Sequence, residues 1–370
     1  MKIALVTTQF LPFVGGAEMV VHHLACQWQL QGHEVCVMNH TSNEVTHPGA
    51  LYSVWKYSLL RGSTRFGDHR FPFQWYVVHN LKRLLKEFNP DLISAHYGYP
   101  TGVWLSKIYP ITKFIVTCHG AELNEMDRPR KVFKIDKLLA DSLNKSSGVI
   151  AISTYARKVM EEMGVEPSRI FHIPNGIDRK RFQKSVNFDF RGRFKIPKEA
   201  TVILSVGRDN WKKAIDAGIK AFAKLHAKIP DAYYVLLGHG IDRWLPLARE
   251  LGVSKNVIFS QLFGDELTGA YQQSDIFFSS SVYELCPVVV LEAMAAGLPT
   301  VVTNVSGSQD IIKTGDNGIV VEPGNPDEMA DALYELAVDK PLQKRFGSGN
   351  LKKSQFYDWE NISRMYLEHV

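Results

Sequence analysis

Two doubly wound α/β domains joined by a hinge are the fold the sequence predicts, and three observations carry it. Short, nearly unbroken apolar runs alternate with segments of helical periodicity through both halves of the chain, the pattern of parallel sheets covered on both faces. That alternation lapses once, from Asp178 to Pro197, into polar, basic and aromatic residues. At 370 residues the chain is also too long for one comfortable core and large enough for two.

Taken in order, "KIALVTT" (2–8) reads as a buried strand and Ala17 to Gln31 as a helix stopped by Gly32. "HEVCVMN" (33–39) is a second strand, Phe73 to Phe88 a helix, and "DLISAH" (91–96) and "KFIVTCHG" (113–120) further strands. "SGVIAIS" (147–153) and "RIFHIPNGID" (169–178) complete a first domain placed at 1–180. A linker is expected at 181–197. In the second domain, 198–355, the strands are "TVILSVG" (201–207), "AYYVLLGHG" (232–240), "NVIFSQ" (256–261), "DIFFSSS" (275–281), "PTVVTN" (299–304) and "GIVVEP" (318–323). A helix from Ala214 to Ile229 follows the first of them.

Composition narrows the class. Hydrophobic residues at 45% and charged residues at 22% describe a soluble globular protein rather than a disordered or fibrous one. Met1 to Phe10 has no small-residue cleavage site, so no signal peptide is expected, and no run approaches the roughly 18 apolar residues of a spanning helix. The cysteines Cys26, Cys36, Cys118 and Cys286 stand singly, which argues for a reducing cytoplasm and against a zinc or disulfide framework. Residues 1–170 carry 19 Lys and Arg against 14 Asp and Glu, while the remainder has 24 of each. The net charge of +5 therefore sits in the first half and points it toward an anionic partner, unless it serves solubility alone.

Ligands of open parallel sheets bind beyond the C-terminal strand ends, so the loops there matter most. "FVGGAE" (13–18) sets Gly15 and Gly16 between strand and helix, where backbone N–H groups can approach an anion; a plain tight turn explains such a pair as well. "SVGRDNWKKAIDAGIKAF" places Gly207 and Arg208 after a strand and Lys213 at the next helix start. A guanidinium and an ammonium converging there make a diphosphate clamp, against the plainer alternative of a solvated basic turn. "LLGHG" (236–240) puts Gly238 and Gly240 after another strand, for a nucleoside or for loop geometry alone.

The most demanding stretch is "YELCPVVVLEAMAAGLP" (283–299), with Glu284 and Glu292 separated by seven residues in an apolar segment. Carboxylates are costly to bury without partners. Glu284 falls in the loop after "DIFFSSS", Pro287 at the first turn of a helix, and Glu292 within that helix before its stop at Gly297. Both can face one cleft as acceptors for sugar or ribose hydroxyls, with the N–H groups from Leu285 to Val288 near a phosphate or sugar oxygen; a purely structural pair on the surface of an amphipathic helix is the alternative.

This spacing, in "YELCPVVVLEAMAAGLPTVV", resembles the signature of retaining GT-B glycosyltransferases, family 4 in particular. The likeness runs through nearly the whole chain. "GGAE" (15–18), "HG" (119–120), "IPNGID" (173–178) and "GR" with Lys213 (207–213) match further family motifs, and "YDWENISRMYLEHV" looks like a terminal helix, 356–370, that packs back on the first domain. The resemblance implies a GT-B architecture of two Rossmann-like domains facing a cleft, the second holding a nucleotide-sugar donor and the first recognising the acceptor. It implies that Arg208 and Lys213 neutralise the leaving diphosphate, that Glu292 binds ribose hydroxyls and Glu284 the transferred sugar, and that Leu285, Cys286, Pro287 and Val288 touch sugar and phosphate through the backbone. His119 would lie beside the sugar, and Gly16 would let its loop close on the diphosphate. Arg208, Lys213, Glu284 and His119 are thus the catalytic candidates, with Gly15, Gly16, Gly207 and Gly238 lining the donor.

The expected activity is a retaining, metal-independent hexosyl transfer from a nucleotide diphosphate sugar, UDP-linked before GDP-mannose, to a hydroxyl acceptor in cell-surface polysaccharide or glycolipid synthesis. No cofactor is expected beyond the donor itself, and no nucleic-acid partner. No two aspartates stand in an Asp-x-Asp arrangement, as metal-dependent sugar transferases often use. Two departures from the family pattern bear on the donor: Ala214 where glycine usually follows the lysine, and Leu285, Cys286 and Pro287 after the first glutamate. Alternatives are a sugar-nucleotide epimerase on the same fold or a silent carbohydrate-binding relative. Finally, Val132, Ile135, Leu139 and Leu143 fall on one face of a helix expected over Arg128 to Lys145, with Arg130, Lys134, Lys137 and Lys145 toward the other. That face is either solvated or a peripheral contact with an anionic inner membrane surface for an otherwise cytoplasmic protein.

Overall fold

The structure, a computed structural model, describes residues 1–11, 15–41, 52–60, 71–108, 113–125 and 134–369. They form two compact units, Met1–Asn175 with Trp359–Val370, and Gly176–Asp358.

The first unit is built on a seven-stranded sheet in the order β3-β2-β1-β4-β5-β6-β7. Its strands are β1 (Lys2–Val6), β2 (Glu34–Asn39), β3 (Ser53–Lys56), β4 (Leu92–His96), β5 (Phe114–Cys118), β6 (Gly148–Ala151) and β7 (Ile170–His172). Every pairing is parallel. The chain winds outward from β1 to β3, then returns to the other side of β1 with β4, so the winding reverses between β1 and β4. Helix α1 (Gly16–Leu30) and helix α2 (Phe73–Phe88) follow β1 and precede β4. α2 buries Val77, Leu81, Leu84, Leu85 and Phe88, the helical-period stripe of its sequence, and ends where Asn89 takes the left-handed conformation at φ 52°.

The second unit repeats the plan with six parallel strands in the order β10-β9-β8-β11-β12-β13. These are β8 (Val202–Val206), β9 (Tyr233–Leu237), β10 (Val257–Ser260), β11 (Ile276–Ser279), β12 (Thr300–Thr303) and β13 (Gly318–Val321). Here the winding reverses between β8 and β11. Phe222, Tyr234, Phe278, Leu333 and Leu336 are among the fully buried side chains of its core.

Four expectations need correcting. The strand β3 was not anticipated: four residues at the sheet edge, two of them exposed, leave little periodicity to detect. Residues 181–197 are no free linker, and the first unit ends at Asn175 rather than at residue 180. They carry helices at Arg179–Gln183 and Phe190–Arg193, capped by the carboxylates of Asp178 and Asp189. Arg191 donates to Asp275 at 2.8 Å and to the carbonyls of Gln273, Pro197, Lys198 and Ala200, while Phe182 and Phe190 are buried. The basic and aromatic composition is that of an anchored segment of the second unit. Third, the chain re-enters the first unit at Trp359, not at residue 356.

Last, the helix expected over 128–145 runs from Asp136 to Leu143; Arg130 and Val132 lie outside the described residues. Ile135, Leu139 and Leu143 are buried, and Lys137 pairs with Asp141 at 3.3 Å. Among the described residues no helix is long and apolar enough to cross a membrane.

The helix Trp359–Glu368 packs on α1: Trp28 Nε1 donates to the Ser363 carbonyl at 3.0 Å, its ring meets Tyr366 edge-on, and Trp359 stacks on His23. Trp28 is fully buried. Trp28→Ala is therefore expected to cost about 3–5 kcal/mol of stability. Denaturant unfolding checks it; a loss under about 1 kcal/mol means this contact is dispensable.

Candidate active site

In doubly wound sheets the crevice for a ligand opens at the C-terminal strand ends where the winding reverses. In the second unit these are the loops after β8 and β11, which carry Gly207 to Lys213 and Ser280 to Pro287. The topology therefore brings the two sequence-predicted clusters together independently of their motifs.

The contacts between these loops are dense. Lys213 Nζ lies 2.6 Å from Glu284 Oε1, and Ser281 Oγ donates to the same oxygen at 3.0 Å. Ser280 Oγ donates to the carbonyls of Lys213 and Ala214, and Val282 N to the carbonyl of Lys212. Gly307 N donates to the Glu284 carbonyl at 2.9 Å, and a Cβ on Gly307 would lie 1.8 Å from the Leu285 carbonyl oxygen. Gly238 has a packing duty of the same kind: its Cβ would lie 1.9 Å from the Gly207 carbonyl oxygen. The side chains of Leu285 and Cys286 are buried, which leaves the backbone of this loop as its outward element. Pro287 caps the helix Val288–Ala295 without a side-chain hydrogen bond; Val290 N donates to the Pro287 carbonyl at 3.0 Å, and among the described residues the N–H groups of Val288 and Val289 have no protein acceptor. Arg208 is exposed beside the cluster.

Glu292 is held differently. Tyr271, fully buried, donates its hydroxyl to Glu292 Oε2 at 2.7 Å. Burial pushes the Glu292 carboxyl above its usual range, against the pull of the Tyr271 hydroxyl and of the charges on Arg181 and Lys213. Among the described residues Glu284 Oε2 and Glu292 Oε1 accept no hydrogen bond from the protein.

In the first unit the corresponding loops follow β1 and β4, and β5 lies next to β4. His119, just past β5, has Nε2 3.0 Å from Nδ1 of His96, with the two rings stacked. Burial pushes the His119 imidazole down to about 3, and it lowers His96 as well. The buried carboxylate of Glu122 accepts from the backbone N–H groups of Gly98, His119 and Gly120 at 2.9, 3.2 and 3.2 Å, which fixes the His-Gly turn. Glu18, in the first turn of α1, accepts from the Tyr97 hydroxyl at 3.2 Å. Gly15 packs directly over that carboxylate, whereas a Cβ on Gly16 would meet nothing within 4 Å. Among the described residues, no packing requires a glycine at 16.

The structure thus groups Gly207, Lys213, Gly238, Glu284 and Leu285 to Val288 in one unit, and Gly15, Gly16 and His119 in the other. Sequence reasoning missed Tyr271, Ser281, His96, Tyr97 and Glu122. The signal for His96 and Tyr97 was present in "SAHYGYP", at the end of a strand already assigned.

Ala214, the departure from the family's glycine, adopts φ 43° and ψ 51° at the start of the helix Ile215–Lys228. Left-handed alanine costs about 1–2 kcal/mol, part of which glycine would return as unfolded-state entropy. Ala214→Gly is expected to raise stability by up to about 1 kcal/mol in thermal unfolding. A clear loss of stability would contradict the strain.

The family described as Glycosyl transferases group 1 matches residues 186–353, and Glycosyltransferase Family 4 matches residues 14–181. An uncharacterized glycosyltransferase of Methanocaldococcus jannaschii is 28% identical over 391 residues, covering 98% of this chain and 96% of that protein. The Escherichia coli UDP-Gal:alpha-D-GlcNAc-diphosphoundecaprenol alpha-1,3-galactosyltransferase is 25% identical over 282 residues, 71% of this chain and 70% of its own. Among solved structures, Anabaena HepE in complex with UDP shares the fold with a TM-score of 0.82 at 19% identity, over 100% of this chain and 99% of that one. The chain belongs to the group 1, family 4 glycosyltransferases, and its two parallel-sheet units are the Rossmann-like halves of a GT-B fold.

Proposed function

We propose that this glycosyltransferase moves a sugar from a UDP-sugar to a hydroxyl acceptor with retention at the anomeric carbon and without a metal ion. The observation that carries the reading is the contact of Lys213 with Glu284 where the second sheet reverses its winding. Lys213 and Arg208 supply the positive charge that a departing diphosphate needs, one as a compact ammonium and the other as an exposed fork. The uncapped helix start at Val288 adds its N–H groups to the same end. Glu284 and Glu292 each keep one oxygen for a hydroxyl, Glu284 for the sugar and Glu292 for the ribose. His119 of the first unit meets a sugar hydroxyl.

The anomeric C–O bond to the diphosphate breaks as the acceptor oxygen bonds the same face, and the acceptor's proton passes to the leaving phosphate oxygen. UDP is favoured over GDP because the Escherichia coli relative is named for UDP-Gal and HepE was solved with UDP.

The same relative is named for a diphosphoundecaprenol substrate, which supports a lipid-linked acceptor and a peripheral membrane contact for this chain. The outer face of α2 suits that contact better than the segment around Lys134 and Lys137. Trp75, His79, Lys82 and Lys86 recur at i, i+4, i+7 and i+11, on one stripe opposite the buried face. Trp75 is 61% exposed and the neighbouring Phe71 83% exposed. Aromatic rings at one end of a helix face and ammonium groups at the other fit an anionic bilayer surface.

Two measurements test these readings. Arg208→Ala and Lys213→Ala are each expected to lower turnover about 10²-fold, with turnover unaffected by EDTA. Near-wild-type rates in both, or activity abolished by EDTA and restored by Mn²⁺, would sink the metal-free clamp. In flotation at low salt, binding to anionic but not zwitterionic vesicles is expected. Reversing Lys82 and Lys86 to Glu should weaken it about tenfold or more, at around 1 kcal/mol per charge. Equal binding to the two vesicle types removes the membrane contact.

A further inference from the structure

In a regular strand, consecutive side chains point to opposite faces. The end of β4 breaks that rule: His96 and Tyr97 both reach the ring of His119. The break is local and backbone-encoded. Tyr97 has φ 73° and ψ 117°, a conformation a bulky side chain adopts only when its surroundings hold it there. Two contacts do so. Its hydroxyl donates to Glu18 Oε1 at 3.2 Å, and its ring meets the His119 imidazole edge-on, with centroids 5.1 Å apart.

On another side of His119 lies His96, fully buried, with rings 5.3 Å apart and 18° from parallel. The atoms facing each other are Nδ1 of His96 and Nε2 of His119, at 3.0 Å. Beyond His96, its Nε2 faces the hydroxyl of Ser94 at 3.4 Å, and Ser94 is fully buried too. Proton positions follow from counting donors. A buried serine hydroxyl has one proton to place, and the His96 imidazole nitrogen lies within reach of it. If Ser94 donates to Nε2 of His96, the His96 proton sits on Nδ1 and donates to Nε2 of His119. The His119 proton is then on Nδ1, the nitrogen with no protein partner among the described residues.

We infer that Ser94, His96 and Tyr97 are positioning residues that lock His119 in its Nδ1–H tautomer, so that it serves the transfer as a fixed hydrogen-bond donor to a sugar oxygen and not as a general base. This rests on the reading of His119 as a sugar contact given above. Burial, which lowers both imidazoles, agrees with a neutral ring, and a neutral ring with its proton on Nδ1 has no lone pair there to accept the acceptor's proton. The leaving diphosphate then remains the acceptor of that proton, in line with the same-face reaction proposed above.

Nitrogen-15 spectroscopy of the histidine side chains in the full chain tests the tautomer directly. His119 is expected as Nδ1–H throughout pH 6 to 8, a range set around the ordinary histidine pKa of about 6.5. His119 found as Nε2–H or as imidazolium there overturns the inference, whatever the activity shows. Kinetics supply the second readout. His96→Leu removes the donor to Nε2 and is expected to lower kcat by about 10²-fold, with UDP affinity unchanged. His96→Asn, whose amide nitrogen can take the place of Nδ1, should restore most of that loss. Full activity in His96→Leu, or failure of Asn to rescue while Leu folds, counts against positioning. If His96→Leu does not fold, the wild-type tautomer still decides. Absence of UDP binding and of sugar transfer in the wild type would instead refute the proposed donor and leave the tautomer result standing.

Discussion

The ion pair of Lys213 with Glu284 is the interaction around which the second unit is arranged. Two charges in a partly buried site are stable only while each has the other, since removing one partner leaves an uncompensated charge. The surrounding irregularities make sense as means to hold that pair. Ala214 turns left-handed at the helix start just after the lysine, and Ser280 ties the carbonyls of Lys213 and Ala214 to the end of β11. Gly307 admits the backbone of Leu285 at a distance no side chain would permit, and Gly238 does the same for Gly207. Ala214, Gly238 and Gly307 thus serve one crevice, where the parallel sheet reverses its winding.

The two units use one topology for different chemistry. Each offers the loops at its own switch point, but the side chains there differ in kind. The second unit gathers an exposed arginine, a paired lysine and an uncapped helix start, which together suit phosphate charge. The first gathers neutral imidazoles, a tyrosine hydroxyl and two carboxylates already engaged by donors of the chain. Such groups recognise hydroxyls and shape, not net charge.

The sequence made the sheet legible because parallel strands buried on both faces read as apolar runs, and every predicted run became a strand. Helix α2 was readable to its ends, since its apolar stripe keeps a strict helical period and an asparagine stops it. The edge strand β3 was not, because four half-exposed residues carry no pattern. The supposed linker misled because composition cannot distinguish a solvated basic segment from one whose arginine is spent on carbonyls, as Arg191 is. Motif spacing placed Lys213 and Glu284, 71 positions apart, in one site. It had no purchase on Tyr271 or His96, whose partners lie 21 and 23 residues away and are chosen by sheet register and helix packing.

Two glutamates in an apolar segment needed a physical reason, and they have two different ones. Glu284 spends Oε1 on an ammonium and a serine hydroxyl; Glu292 spends Oε2 on a buried tyrosine. Each is anchored through one oxygen, which meets the cost of burial, while the other oxygen stays available as an acceptor. A carboxylate held at one oxygen cannot rotate freely, so its remaining lone pairs point where the fold aims them. For Glu292 the aim is set by Tyr271 in the core and for Glu284 by Lys213 in the crevice. The latter is coupled to whatever charge Lys213 meets. Under the proposed function, a diphosphate that draws on Lys213 alters the hydrogen-bonding state of Glu284 at the same moment, and so would link recognition of the sugar to neutralisation of its leaving group.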